Sequence, residues 1–215
     1  MPTLRLLLCL LLFAPAVSAQ DVPGPSFEDV LSLRSAGSPE ISPDGRHVAF
    51  TVSTTDWTNN RYDTEIWLSK DGAAPFQFTR TADGTSTSPQ WSPDGQWLAF
   101  AATRGNGRQV FVIRTAGGEA QPVTAVKEGV GSFAWSPDGS QIAFTQTDPE
   151  AQAAKQRQEQ YGAFEVEDEE FRRAHLWVMD MQPDPWPSPA EAPCDGQDST
   201  DTGCAKWPEP VRLTE

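Results

Sequence analysis

The chain has little of what hydrolytic, redox and metal sites are usually made from. It holds two histidines, His47 and His175, and three cysteines in 215 residues. Neither histidine has a serine or cysteine beside it in a nucleophile setting, so both are read as structural. The G-x-S-x-G elbow, H-E-x-x-H, C-x-x-C and G-x-x-x-x-G-K are all absent. Their absence leaves no local signature for a serine hydrolase, a zinc peptidase, a dithiol site or a phosphate loop. TAGGEA from Thr115 is glycine-containing but reads as a hairpin turn. Positive charge is also scarce, with 16 Lys plus Arg against 30 Asp plus Glu. Nucleic acid and anionic membrane would be repelled and are not expected as partners.

Long apolar runs are missing except for one over residues 6–13. It is too short to cross a bilayer, which takes roughly 20 residues. Arg5 precedes it and Val17-Ser18-Ala19 follows, which is the layout of a secretory signal peptide over residues 1–19. A membrane-anchoring helix is the competing reading. Cleavage is expected between Ala19 and Gln20, giving a secreted or periplasmic protein with no membrane association afterwards. Cys9 falls inside that signal. The remaining Cys194 and Cys204 bound a polar stretch, CDGQDSTDTGC, and in an oxidising compartment read as a small disulfide. Asp195, Asp198 and Asp201 make a metal loop the alternative, but their spacing does not match an EF-hand. No metal or other cofactor is expected.

Tryptophan is plentiful, at eight residues, and its spacing leads to a repeat. ISPDGRHVAFT from Ile41, WSPDGQWLAFA from Trp91 and WSPDGSQIAFT from Trp135 align without gaps, at intervals of 50 and 44 residues. In each, Pro presets φ for a turn, Asp bonds the local backbone, and Gly takes the positive-φ position. The strand that follows alternates, placing Val48 and Phe50, or Leu98 and Phe100, toward a core. Each hairpin is followed by a strand with a central aromatic: EIWLSKDG from Glu65, QVFVIRTAGG from Gln109 and HLWVMD from His175. A short Thr-containing strand comes next: FQFTR from Phe76, QPVTAV from Gln121 and VRLTE from Val211. Four short strands per unit, repeated every 40–50 residues or so, predict an all-β propeller of four-stranded blades. The blades are expected at residues 38–81, 82–127 and 128–215, the third carrying insertions at about 147–174 and 183–209. Three blades are too few to close a ring, so a longer parent protein is expected.

These segments resemble the TolB-like propeller repeat, found in TolB and in the propeller domains of the prolyl oligopeptidase family of serine peptidases. The stretch at residues 20–37, with SFEDVLSLRSAGSPEI leading into the first SPDG, is similar to the opening of secreted members of that family. Phe27, Val30 and Leu31 fit one face of a short helix, with Ser26 as cap and Asp29 three residues on.

The first insertion, DPEAQAAKQRQEQYGAFEVEDEEFRRAHLW, opens on helix formers and ends in a dense acidic run. EDEEF is similar to the segment with which dipeptidyl peptidases of the family bind a substrate's ammonium terminus. The resemblance assigns that role to Glu169 and Glu170. The alternative is a solvated insertion paired with Arg172 and Arg173. The second insertion, between Trp186 and Trp207, is proline-rich and reads as a surface loop. The resemblance therefore implies the propeller portion of a dipeptidyl or acylaminoacyl peptidase, which admits short peptides to a C-terminal α/β-hydrolase domain. This chain has no catalytic triad and should be inactive alone. A non-enzymatic periplasmic protein-binding propeller of the TolB kind is the alternative.

Overall fold

In the computed structural model, the described residues are 24–81, 84–104, 107–150, 156, 159–162, 172–181 and 209–214. The signal segment, its cleavage point, Glu169, Glu170, Cys194 and Cys204 all lie outside them. The chain divides into two compact units, residues 1–33 and 34–215. In the first, helix α1 (Phe27–Leu31) starts at a capping box. The Ser26 hydroxyl accepts from the Asp29 N–H at 3.1 Å, and the Asp29 carboxylate accepts from the Ser26 N–H at 2.8 Å. The expected cap is thus formed, while none of the helix residues is buried.

Among its described residues, the second unit is all β apart from helical residues at 156 and 159–161 in the third-blade insertion. Its strands are β1 (Ser35–Ile41), β2 (His47–Asp56), β3 (Arg61–Lys70), β4 (Phe76–Gln77), β5 (Ser86–Trp91), β6 (Trp97–Thr103), β7 (Arg108–Arg114), β8 (Gln121–Pro122), β9 (Phe133–Trp135), β10 (Gln141–Thr147), β11 (Ala174–Asp180) and β12 (Val211–Arg212). They form three antiparallel four-stranded sheets in chain order, β1 to β4, β5 to β8 and β9 to β12. These are three propeller blades, and the described sheets do not close a ring.

Each SPDG turn is held the same way. In the first blade, Gly45 N–H donates to Ser42 O at 2.8 Å, with Gly45 at φ +73°. The Ser42 hydroxyl donates to Asp44 Oδ1 at 2.5 Å and accepts from His47 N–H at 2.9 Å. Asp44 Oδ1 also accepts from Arg46 N–H at 3.1 Å. Ser92 with Asp94, and Ser136 with Asp138, repeat this pattern. These bonds hold the Asp44 and Asp138 carboxyls below the usual value, the Ser42 and Ser136 hydroxyls being the largest cause; Asp138 is lowered to about 2.

Blades pack by a size rule written into the repeat. Facing the preceding blade, which we call the trailing face, stand large residues. In the second blade these are Trp91, Leu98, Phe100, Phe111 and Ile113, and in the third Ile142, Phe144, Trp177 and Met179. Facing the following blade, the leading face, the second strand carries small residues and the third carries aliphatics: Ala49 with Ile66 and Leu68, then Ala99 and Ala101 with Val110 and Val112. Large side chains thus fill the space that alanines leave, which gives the dense packing a core requires. The turns stack as well. A Cβ at Gly95 would lie 3.6 Å from the Pro43 ring, and one at Gly139 would lie 3.3 Å from the Pro93 ring. Trp91 Nε1 donates across the first junction to Glu40 O at 3.1 Å, and Lys70 Nζ donates to Thr115 O at 2.5 Å.

This rule corrects one expectation. Val48 and Phe50 are only half-buried, and Ala49 on the opposite face is the fully buried residue. Val48 and Phe50 belong to the trailing face, and no described blade precedes the first. In the middle blade, flanked on both sides, Leu98 through Ala102 are all buried, so its alternation of buried and exposed positions disappears.

Candidate functional site: polar locks and the neck of the third-blade insertion

The third strand of each blade carries a polar residue at the same repeat position: Glu65, Gln109 and His175. Beside it, a threonine two residues past the short fourth strand closes the blade edge. The N–H of the following residue donates to that hydroxyl: Ile66 to Thr79 at 2.9 Å, Val110 to Thr124 at 2.9 Å, and Leu176 to Thr214 at 3.0 Å. The same residue's carbonyl accepts from the outer strand, from Phe78, Val123 and Leu213 respectively. The fourth strands pair over only two residues, and the threonine hydroxyl stands in for a backbone acceptor just past that pairing.

The polar residue completes each lock. The Thr79 hydroxyl donates to Glu65 Oε2 at 2.5 Å, and Thr81 N–H donates to Glu65 Oε1. The Thr124 hydroxyl donates to Gln109 Oε1 at 2.8 Å, and Val126 N–H donates to the same oxygen at 3.1 Å. In the third blade, His175 Nδ1 lies 3.4 Å from the Thr214 hydroxyl, and Nε2 lies 2.9 Å from Asp148 Oδ2. An Arg212 N–H nitrogen is within 2.8 Å of Nδ1 and 2.9 Å of Nε2. The pattern of contacts puts the proton on Nε2, donated to Asp148, and leaves Nδ1 to accept from Arg212. His175 holds the Asp148 carboxyl below its usual value, through that bond above all.

Thr214, His175 and Asp148 have the order of a nucleophile, base and acid. The repeat identifies them as a lock instead. Thr79 and Thr124 make the same bonds with a glutamate and a glutamine, and the Thr214 hydroxyl is occupied by Leu176 N–H. His175 is buried, whereas Leu176 beside it is more than a third exposed.

The third-blade lock also forms the neck of the insertion between β10 and β11. Asp148 N–H donates to Arg173 O at 2.8 Å, and Arg172 Nε donates to Asp148 O at 2.8 Å. Arg172 also pairs with Glu128 at 3.3 Å. Among the described residues, then, Arg172 is engaged by the β10 end and the loop before β9. In the sequence, the acidic run carrying Glu169 and Glu170 ends just before Arg172, and it lies outside the described residues.

A second charged group lies at the end of the first two blades that corresponds to this neck. Burial, then Glu65, pushes the Asp63 carboxyl up, and Asp63 Oδ1 is buried with no hydrogen-bond partner among the described residues. Arg104 stacks over Phe111 with its guanidinium carbon 4.6 Å from the ring centroid. Burial pushes its guanidinium down, with Glu65 opposing. These groups can orient a charged ligand but supply no nucleophile. His47 stacks on Trp91 with centroids 6.1 Å apart, across the first junction, as a packing residue.

The locks were only half legible beforehand. The threonines stand out in the repeat, whereas their partners differ in every blade. Their one sequence signal is a polar residue two positions before the central aromatic, as in E-I-W, Q-V-F and H-L-W.

Comparison with known proteins agrees with this architecture. An uncharacterized peptidase, YuxL, of Bacillus subtilis (strain 168) is 32% identical over 154 residues, covering 68% of this chain and 23% of that protein. Dipeptidyl-peptidase 5 of Porphyromonas endodontalis is 29% identical over 121 residues, covering 55% of this chain and 17% of that protein. The chain thus spans about a quarter or less of these relatives' length, 23% and 17%. The AtxE2 isopeptidase structure superposes with a TM-score of 0.57 at 20% identity, covering 71% of this chain and 30% of that one. Residues 14–168 match the family described as the TolB beta propeller domain, and with three blades built on its repeat the chain belongs to that family.

Proposed function

We propose that the chain is the N-terminal propeller portion of an exported serine peptidase of the prolyl oligopeptidase family, and that the propeller admits short peptides to a C-terminal α/β-hydrolase domain. The observation that carries this reading is the 32% identity to a peptidase over 154 residues, which spans the repeats rather than one turn motif. The pinned neck supports it further. A rigid closure at Asp148, Arg172 and His175 is what an insertion needs if its tip is to hold a ligand in a fixed place. On this reading Glu169 and Glu170 bind the peptide's ammonium group, where paired carboxylates in a partly dehydrated cavity gain over exposed ones. The residues 1–19 direct export, and a Cys194–Cys204 disulfide forms after it.

The test uses the protein as its cell produces it. A fluorophosphonate reagent should label the polypeptide that carries this sequence. A full-length polypeptide that stays unlabelled would overturn the peptidase reading. It would favour the TolB-like alternative, a protein-binding propeller without an active site, which the family match also accommodates. In the labelled enzyme, Glu169→Gln with Glu170→Gln should lower kcat/KM by about a hundredfold on free-amine peptides, on the scale of a lost buried charge pair. N-blocked peptides should be cleaved as before. Equal effects on both would reject the ammonium role.

A further inference from the structure

We propose that the β2–β3 hairpin of the first blade is an arm that docks on the hydrolase domain following the propeller, with Trp57 at its tip as the anchor. The identity of that partner rests on the peptidase reading above; the arm and its direction come from the blades themselves.

The arm is a surplus of strand. In the second and third blades the two middle strands have seven residues each, and they pair from the SPDG turn as far as Thr103 with Arg108 and Thr147 with Ala174. In the first blade both have ten, and pairing continues through Thr54 with Asp63, Thr55 with Tyr62 and Asp56 with Arg61. At about 3.4 Å per residue, the three extra pairs carry the tip roughly 10 Å beyond the neighbouring blade. Asp56 fixes that tip. Its Oδ1 accepts from the Thr58 and Asn59 N–H groups, both at 3.1 Å. Its Oδ2 accepts from Asn59 Nδ2 at 2.7 Å and from Arg61 Nε at 3.3 Å. Asn60 takes φ +50°, which asparagine tolerates. The turn presents Trp57 at 55% exposure, with Tyr62 at 63% on the strand beneath it. Tyr62 shares its strand face with Ile66 and Leu68, which are buried against the second blade. Its exposure is set at a junction between two described blades, because β6 and β7 stop short of it. A stiff tip carrying Trp and Tyr is the form that binding anchors take, since little freedom is lost when it docks.

Strand direction gives the side that the arm faces. β4 runs away from the SPDG turn, from Phe76 beside Leu68 to Thr79 beside Ile66, and β5 begins at the far end with Ser86 paired to Ala102. β8 leads into β9 in the same way: Val123 N–H donates to Val110 O, and Gly131 N–H donates to Thr145 O. β12 has the same sense, with Val211 beside Val178 and Leu213 N–H on Leu176 O. Ser35, which opens β1, pairs with Ser53 toward that end too. The chain thus passes from blade to blade at the end from which the arm projects, and a domain joined after a blade is joined there. The insertion neck, where Asp148 N–H donates to Arg173 O, opens on the same side. The SPDG turns face away from it.

The test uses the full-length protein with p-benzoylphenylalanine in place of Trp57. Irradiation should link residue 57 to a peptide of the hydrolase domain in the same chain, read by mass spectrometry on mixed isotope-labelled and unlabelled copies. The same photoreactive residue at Gln96, exposed at an SPDG turn, should give no such link. Trp57→Ala should keep the far-UV dichroism, since the side chain is exposed within the propeller. It should speed trypsin cleavage between the two domains by about tenfold or more, on the scale of a lost tryptophan anchor. A link only to a second copy, or no link beyond the propeller, overturns the docking, and so does cleavage at an unchanged rate. Fluorophosphonate labelling reads the peptidase assignment separately. A labelled protein without the link overturns the docking alone, whereas an unlabelled protein whose residue 57 links to another domain of the chain overturns the partner's identity.

Discussion

Thr124→Val isolates one lock with almost no change of shape. The hydroxyl accepts from Val110 N–H at 2.9 Å and donates to Gln109 Oε1 at 2.8 Å, and all three residues are buried. Valine fills the same volume, so no cavity term enters. What is left is a buried strand N–H with no acceptor, which costs about 1–3 kcal/mol, and one lost bond at Gln109, whose oxygen keeps the Val126 N–H. The gained methyl offsets about 0.8 kcal/mol. The net expectation is destabilisation by about 2 kcal/mol, or roughly 4–8 °C in Tm for a unit of this size. Thr214→Val makes the same chemical change at the same repeat position in the third blade. There both Leu176 and Thr214 are exposed, and water can take the place of the hydroxyl, so the cost should stay below about 1 kcal/mol. Urea unfolding monitored by tryptophan fluorescence reads both. Equal costs for the two variants, or a neutral Thr124→Val, would refute the claim that the hydroxyl replaces a backbone acceptor.

Other outcomes follow from single positions. Gly45→Ala and Gly139→Ala place a Cβ at φ +73° and +74°, costing about 1 kcal/mol each through strain. Only at Gly139 does the new carbon also press on Pro93, at 3.3 Å, so that variant should be the less stable in urea. Gly84→Ala should be more damaging than either, because its Cβ would fall 1.9 Å from Thr103 O; soluble expression close to that of the unaltered chain would count against this packing. Acid should loosen the SPDG turns. Their Asp44 and Asp138 carboxyls are depressed in the folded chain, so their contribution is complete above the unfolded value of 3.8 and disappears as pH falls, for Asp138 toward about 2. Asp138→Asn should flatten the fall in Tm between those two pH values, and an unchanged slope would show that the turn is not the acid-sensitive element.

How much was readable in advance depended on how local the physics was. The capping box at Ser26 and the SPDG turns involve residues within five positions of each other, so their bonds follow from residue types in order. The positive φ of the glycines was legible for the same reason. The role of Ser42, Ser92 and Ser136 was missed even so. Serine sits in the motif as an unremarkable turn residue, and only the geometry reveals that its hydroxyl bridges the aspartate and the returning strand. Ser38 and Ser88, at φ +46° and +54°, were missed too. A serine before proline is expected to be extended, and the bulges that put each in the left-handed region arise from pairing with β2 and β6.

The expectation from strand alternation held for Leu98 and Phe100, which are fully buried, and missed for Val48 and Phe50, which are half-buried. Alternation in β2 places Val48 and Phe50 inward and is silent on the fully buried Ala49. In a stack of sheets, both faces of a blade meet a neighbour, and the small face is the one that receives side chains. Ala49, Ala99 and Ala143 occupy one repeat position, and the first two are fully buried because Trp91, Leu98 and Phe100, or Ile142 and Phe144, fill the space they leave. Apolarity therefore marks only one side of each junction, and residue size across the repeat marks the other. Enlarging Ala99 tests that statement directly. Ala99→Leu adds apolar area that a surface position would tolerate, yet it should destabilise by about 1–3 kcal/mol because the space is already filled by the third blade. Ala143→Leu, at the same repeat position but only half-buried, should cost less, and an equal cost at both would mean that the small residues do not receive the next blade.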